Sequence, residues 1–159
     1  MIRQITREEI PECVSVIRQS FQTVADALGF TAENAPRFTA FATSSERLEY
    51  QLREGRKMFA YLVDEKIVGY YSLHQVQEGE CELNNLCVLP EYRHRKIGEQ
   101  LLAHAFETAK EAGFAQMHIG IVEENKLLRA WYERYGFIHL GTKRFDFFPF
   151  TCGYMVYHL

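Results

Sequence analysis

The stretch from Val88 to Leu102, VLPEYRHRKIGEQLL, constrains this chain most, because its character changes twice within one short run. An apolar β-type segment stops at Pro90. A basic tetrad follows, Arg93, His94, Arg95 and Lys96, and Gly98 then opens a segment whose apolar residues fall at helical spacing. A strand feeding a cationic turn at a helix start makes an anion site. The first four backbone N–H groups of a helix lack intrahelical partners and the macrodipole is positive there, so a pyrophosphate can accept several hydrogen bonds at once. Taken alone, the same four residues would also suit a solvated charge cluster.

The chain has 159 residues, 47% hydrophobic and 25% charged, with no composition break, which predicts one domain over residues 1–159. A formal charge of -3 gives no support to a nucleic-acid partner. Cys13, Cys81, Cys87 and Cys152 form no CxxC pair and have no histidines at zinc-ligand spacing, so they read as reduced, mostly buried thiols and no metal is expected. The N-terminal MIRQITREEI lacks the apolar run of a signal peptide, and no 18 apolar residues are consecutive; a cytoplasmic protein without a membrane partner is the expectation.

Ile2 to Ile5 alternates as a first strand. Thr6 then caps a helix to about Phe21, with Glu9 completing a capping box and Ile10, Val14 and Ile17 as its buried stripe. Gly29 to Ser45, with aromatics Phe30, Phe38 and Phe41, suggests a partly helical loop over a cavity, and Ser45 caps a helix to about Glu54. Lys57–Asp64 and Ile67–Val76 predict a hairpin, and Glu80–Leu89 a third strand with a bulge at Asn84 and Asn85, two poor strand formers. A helix over Gly98–Ala112 is a crossover to a parallel strand, Gln116–Val122. Asn125 caps a helix with Leu127, Leu128, Trp131, Tyr132 and Tyr135 on one side, and Phe137–Phe147 and Gly153–Leu159 close the sheet. The order is β-α-α-β-β-β-α-β-α-β-β, an α/β (α+β) mixed, mostly antiparallel sheet of about seven strands with helices on both faces.

At these residues the sequence resembles the GNAT superfamily of acyl-CoA-dependent N-acetyltransferases. The family signature, Arg or Gln, two residues, Gly, one residue, Gly, lies where a central strand ends and a helix begins, and here it reads Arg93, His94, Arg95, Lys96, Ile97, Gly98. A second block, NKLLRAWYERYGF from Asn125 to Phe137, fits the family's Asn, aromatic-Tyr and Gly-Phe spacing. Lys96 stands where the family usually has its first glycine, and would fit with ordinary helix-start dihedrals and an outward side chain. The resemblance implies acetyl-CoA as cofactor, its pyrophosphate on the N–H groups of His94, Arg95, Lys96, Ile97, Gly98 and Glu99 with Arg93 alongside. It also implies the pantetheine arm paired with backbone near Leu86, Cys87 and Val88, and Asn125 as a further contact.

The resemblance further implies that Tyr132 protonates the departing thiolate, as a phenol of pKa about 10 can at neutral pH; packing in the apolar stripe is the plain alternative. Glu82 lies where some relatives carry a general base, with Glu80 on the same face and His118 in the next strand as rivals, and a water chain as another. Cys87 raises an acyl-cysteine intermediate, but no activating base accompanies it, so direct attack in a ternary complex is favoured. The Phe30–Ser45 loop and the Phe145–Phe150 turn should wall an acceptor pocket, with Glu123 and Glu124 near its mouth. The partners expected are acetyl-CoA and a primary amine of a small molecule or peptide; a homodimer is left open. The alternative is a catalytically weak acyl-CoA-binding sensor or interaction module.

Overall fold

In the computed structural model, which describes residues 1–159, Asp64 and Glu65 both take left-handed backbone (φ 48° and 65°) and close a two-residue turn. That turn joins β2 (Lys57–Val63) to β3 (Lys66–Gln77), and β4 (Glu80–Val88) returns antiparallel to β3. Before them come β1 (Ile2–Gln4), α1 (Ile10–Leu28), the single turn α2 (Thr39–Ala42) and α3 (Ser45–Arg53). After them come α4 (Ile97–Glu111), β5 (Gln116–Val122), α5 (Lys126–Arg134), β6 (Ile138–Arg144) and β7 (Thr151–His158). The seven strands form one sheet in the order β1-β2-β3-β4-β5-β7-β6. Its one parallel pair is β4 with β5, and α4 is the crossover between them.

Residues Ile67 to Leu73 of β3 are buried without a break, so both faces of the central sheet are covered. Tyr71 points to α4, where its hydroxyl lies 2.7 Å from His104 Nδ1, and α1 packs over the opposite face. A second, smaller core of Ala25, Phe30, Ala35, Phe38, Ala40 and Phe150 ties the α1–α2 connection to the turn before β7.

Two features of β4 open the sheet. Tyr70 pairs with Cys87 and Ser72 with Asn84, so Tyr71 alone faces two residues, Asn85 and Leu86, and Asn85 is left-handed (φ 54°). This is the bulge expected from the two asparagines. On the other edge, pairing with β5 runs only from Glu80/Gln116 to Glu82/His118 and then stops. Beyond Glu82 the two strands diverge and leave a wedge.

Several boundaries differ from the sequence expectation. Helix α1 runs seven residues past Phe21, to Leu28, because its stop is the left-handed Gly29 (φ 75°). Its buried stripe uses Cys13 and Val16 beside Ile10 and Ile17, leaving Val14 half-buried. Ser44 caps α3 in place of Ser45, accepting from Arg47 N–H at 3.2 Å. Strand β6 ends at Arg144 and β7 begins at Thr151, so the aromatics Phe145, Phe147 and Phe148 belong to a loop. Leu127 is 87% exposed, off the packed side of α5.

Candidate active site

Two cavities open along β4 beyond Glu82, the smaller of them in the wedge between β4 and β5. The larger, about 620 Å³, runs from the loop before α4 to α5, with the C-terminal half of α1 as its roof. It is lined by every cofactor-side residue expected from the sequence except Arg95, whose guanidinium instead lies 5.1 Å from the Tyr92 ring centroid. His94 (φ 62°) and Lys96 (φ 63°, ψ 16°) are both left-handed, the loop geometry that turns backbone N–H groups together onto an anion. The expectation for Lys96 is therefore corrected. Its side chain does point to solvent, but its backbone keeps the conformation that a glycine would adopt, at a cost of about 1–2 kcal/mol for an L-residue.

Arg93 has a different environment from its neighbours in the tetrad. Its Nε donates to the Val88 carbonyl (3.1 Å), one terminal nitrogen to Thr23 Oγ1 (3.0 Å) and the other to the Ser20 carbonyl (2.9 Å). The guanidinium thus ties the loop to both α1 and the end of β4. Glu99 is held by the Tyr135 hydroxyl. Asn125 caps α5, accepting from Leu128 N–H at 3.3 Å.

The smaller cavity, about 270 Å³, lies on the other side of α1's C-terminal half. Phe38, Phe148 and Phe150 wall it, and Glu82 and Arg37 are the only charged residues that line it. Asn84 Nδ2 donates to Glu82 Oε1 (2.6 Å), and Arg56 in turn donates to Asn84 Oδ1 (3.0 Å), so the carboxylate is held by a chain of two side chains. In the sheet register Glu82 stands between His74 and His118. His118 approaches Glu80 (3.5 Å), and neither of these two lines the cavity.

Phe21, Val24, Leu86, Asn125, Leu128 and Tyr132 line both cavities, so the two meet at that point. Tyr132 is 6% exposed and packs edge-on to Trp131 and Phe137. Burial, with a smaller contribution from Cys87, raises its pKa above the usual phenol value, so the hydroxyl keeps its proton. The Cys87 thiol is pushed up to about 12, chiefly by burial, and is not a thiolate at neutral pH.

Glu123 and Glu124, expected near the mouth, are both committed elsewhere. Glu123 takes Arg129 (2.6 Å) and His139 Nε2 (2.9 Å); burial would raise its pKa, but these two partners outweigh it and hold the carboxyl below its ordinary value. It can cross β7 because Gly153 lies beneath it, where a Cβ would collide with the carboxylate. Glu124 accepts from Thr151 N–H at 3.0 Å.

The sequence profile of the Acetyltransferase (GNAT) family matches residues 26–137. The chain belongs to this family. GNAT members are acetyl-CoA-dependent acetyltransferases, and this chain is an enzyme of that class. It is similar to the spermidine N(1)-acetyltransferase of Thermoplasma acidophilum, 24% identical over 151 residues covering 92% of each chain. It also matches the streptothricin acetyltransferase A of Bacillus subtilis, 24% identical over 116 residues, 72% of this chain and 67% of that one. Among solved structures, the PaiA N-acetyltransferase of Thermoplasma acidophilum in complex with coenzyme A superposes with a TM-score of 0.85 at 21% identity, covering 100% of this chain and 98% of that one. The ribosomal-protein-S18-alanine N-acetyltransferase of Escherichia coli gives 0.77 at 18% identity, covering 98% and 91%. These likenesses place the seven-stranded sheet in the GNAT fold.

Sequence reasoning missed the α1 contribution, Ser20, Phe21, Thr23 and Val24, and with it the anchor of Arg93. The signal was Gly29: extending the helix to that stop carries its last turns over the wedge. It also missed Arg56 and Asn84 behind Glu82, which are 28 residues apart in the chain. No helix of the chain is long and apolar enough to cross a membrane, and no three His, Cys, Asp or Glu side chains are grouped to hold a metal ion.

Proposed function

We propose that this GNAT enzyme acetylates a primary amine of a small molecule, by direct attack within a complex that holds acetyl-CoA and acceptor together. The observation that carries the reading is the meeting of two cavities at a buried, protonated tyrosine. The residues present suit the cofactor. The larger cavity lies in the size range of about 300–1,000 Å³ typical of ligand clefts, with a left-handed N–H loop at one end and an apolar middle of Leu86, Val88, Leu128 and Trp131. The lysine in place of glycine, the ground for a weak-binding sensor instead, leaves the loop's turn intact.

When bound, acetyl-CoA supplies an acetyl thioester whose C–S bond breaks as the acceptor nitrogen bonds the acetyl carbon. Tyr132 holds a proton at the junction and gives it to the departing sulfur. Glu82, fixed by Asn84 and Arg56, takes the proton that the nitrogen releases, directly or through one water. Thiol release measured with acetyl-CoA and a panel of primary amines tests the reading. Acetylated amine and free thiol in equal amounts are expected; coenzyme A binding without release on any amine would favour the sensor.

A further inference from the structure

We infer that the acceptor carries an anionic group, which Arg37 receives, so that the substrates of this enzyme are apolar amino acids or related amino carboxylates and not polyamines. This rests on the acetyl-transfer reading above and narrows it. The smaller cavity contains one anion, Glu82, half-buried, and one cation, Arg37, exposed at the rim. Everything else on its walls is neutral and mostly apolar. Such a wall complements a molecule with an amine at one end, an apolar body, and a negative charge at the other.

Arg37 is built for that task. Its neighbour Phe38 is 5% exposed and packs against Phe21, Phe30 and Phe150, which fixes the backbone at the rim. Its guanidinium lies over the Phe147 ring, 4.2 Å from the centroid, and takes part in none of the protein's ion pairs. A guanidinium held over a ring can keep its N–H donors available, and these can hold a carboxylate with two parallel hydrogen bonds. A polyamine would find the reverse. It would meet Arg37 with a positive charge and have Glu82 alone as counter-ion, since Glu123 and Glu124 are held by Arg129, His139 and Thr151. The cavity's volume, about 270 Å³, suits a body the size of a large amino-acid side chain.

The test is thiol release by the full chain with acetyl-CoA and matched amines: L-phenylalanine against phenethylamine and L-phenylalaninamide, and 5-aminopentanoate against 1,5-diaminopentane and spermidine. The carboxylate-bearing member of at least one set should have kcat/KM about tenfold or more above its partners. In Arg37→Ala its KM should rise by about the same factor with kcat kept, the carboxylate-free partner should show no such rise, and Arg37→Lys should restore part of the loss. A carboxylate-bearing member preferred in neither set would overturn the anionic acceptor while leaving acetyl transfer standing. Equal effects of Arg37→Ala on acid and amine would do the same. No release from any of these amines would overturn both.

Discussion

The two cavities that meet at Tyr132 are built in opposite ways. The larger cavity, the proposed cofactor cleft, takes its chemistry from one continuous run, Leu86 to Glu99, and much of it from backbone: a strand edge, a left-handed loop and the start of α4. The smaller cavity, the proposed acceptor site, is made of side chains from distant segments: Arg37 and Phe38, Glu82 and Asn84, Ile119 and Ile121, Phe148 and Phe150. A backbone site tolerates side-chain change, which is why lysine can stand where a glycine is expected. A side-chain site changes its ligand with each substitution. On the proposed assignment, the contrast separates a donor held largely by backbone from an acceptor held by side chains.

The sharpest way to break that contrast is at the junction itself. Tyr132→Phe should lower kcat by about 10²-fold or more with little change in cofactor affinity, read from steady-state kinetics beside a coenzyme A titration. Unchanged turnover would remove Tyr132 from the proton path. On the acceptor side, Glu82→Gln should lower kcat/KM by roughly 10-fold to 10²-fold and leave coenzyme A binding as it was. On the cofactor side, Arg93→Ala should act mainly through the fold. Three hydrogen bonds that Arg93 donates to α1 and β4 are lost, so calorimetry should show about 1–3 kcal/mol of destabilisation, with coenzyme A affinity falling because the loop shifts. Full stability with weakened binding would make Arg93 a direct phosphate ligand instead.

Smaller effects sharpen the comparison. Lys96→Gly relieves a left-handed L-residue but adds chain freedom to the unfolded state, so a net gain of about 0.5–1 kcal/mol is expected in the melting curve, with cofactor affinity kept. A loss of stability there would show that the lysine side chain matters more than its backbone. The pH profile should follow Tyr132. A general acid works while protonated, and burial raises its pKa above the ordinary phenol value of 10.0, so its activity is present below that value and lost only as pH rises through the raised one. The kcat profile should therefore have no falling limb below about pH 10; one near pH 8 would point to another acid.

What could be read from the sequence follows the same division. The hairpin, the crossover and even the bulge were legible, because each is written in neighbouring residues: Asp64, Glu65 and Lys66 as a turn, of which Lys66 proves to open β3, and Asn84 and Asn85 as poor strand formers. The turn from Arg93 to Gly98 at the start of α4 was legible for the same reason. The role of the Arg93 side chain was not, since its partners Ser20 and Thr23 lie 73 and 70 residues away. Glu123 and Glu124 misled for a related reason. Two adjacent carboxylates look free in a sequence, and only the fold brings His139 and the Thr151 N–H to them. Leu127 fitted a helical stripe by spacing, but α5 is short and packs only part of that face.

The brief pairing of β4 with β5 has a thermodynamic consequence. Three residue pairs join the β1–β4 part of the sheet to the β5–β7 part, and past them the facing edges lack a neighbour. The sheet is therefore joined at its centre by a short seam, and that seam borders the proposed active site. Any ligand that fills the wedge binds the folded chain alone and adds stability by mass action, about 2.7 kcal/mol at a hundredfold excess over Kd. Amide hydrogen exchange should register this first at residues 86–88, slowing there on addition of coenzyme A while the β2–β3 hairpin stays as it was.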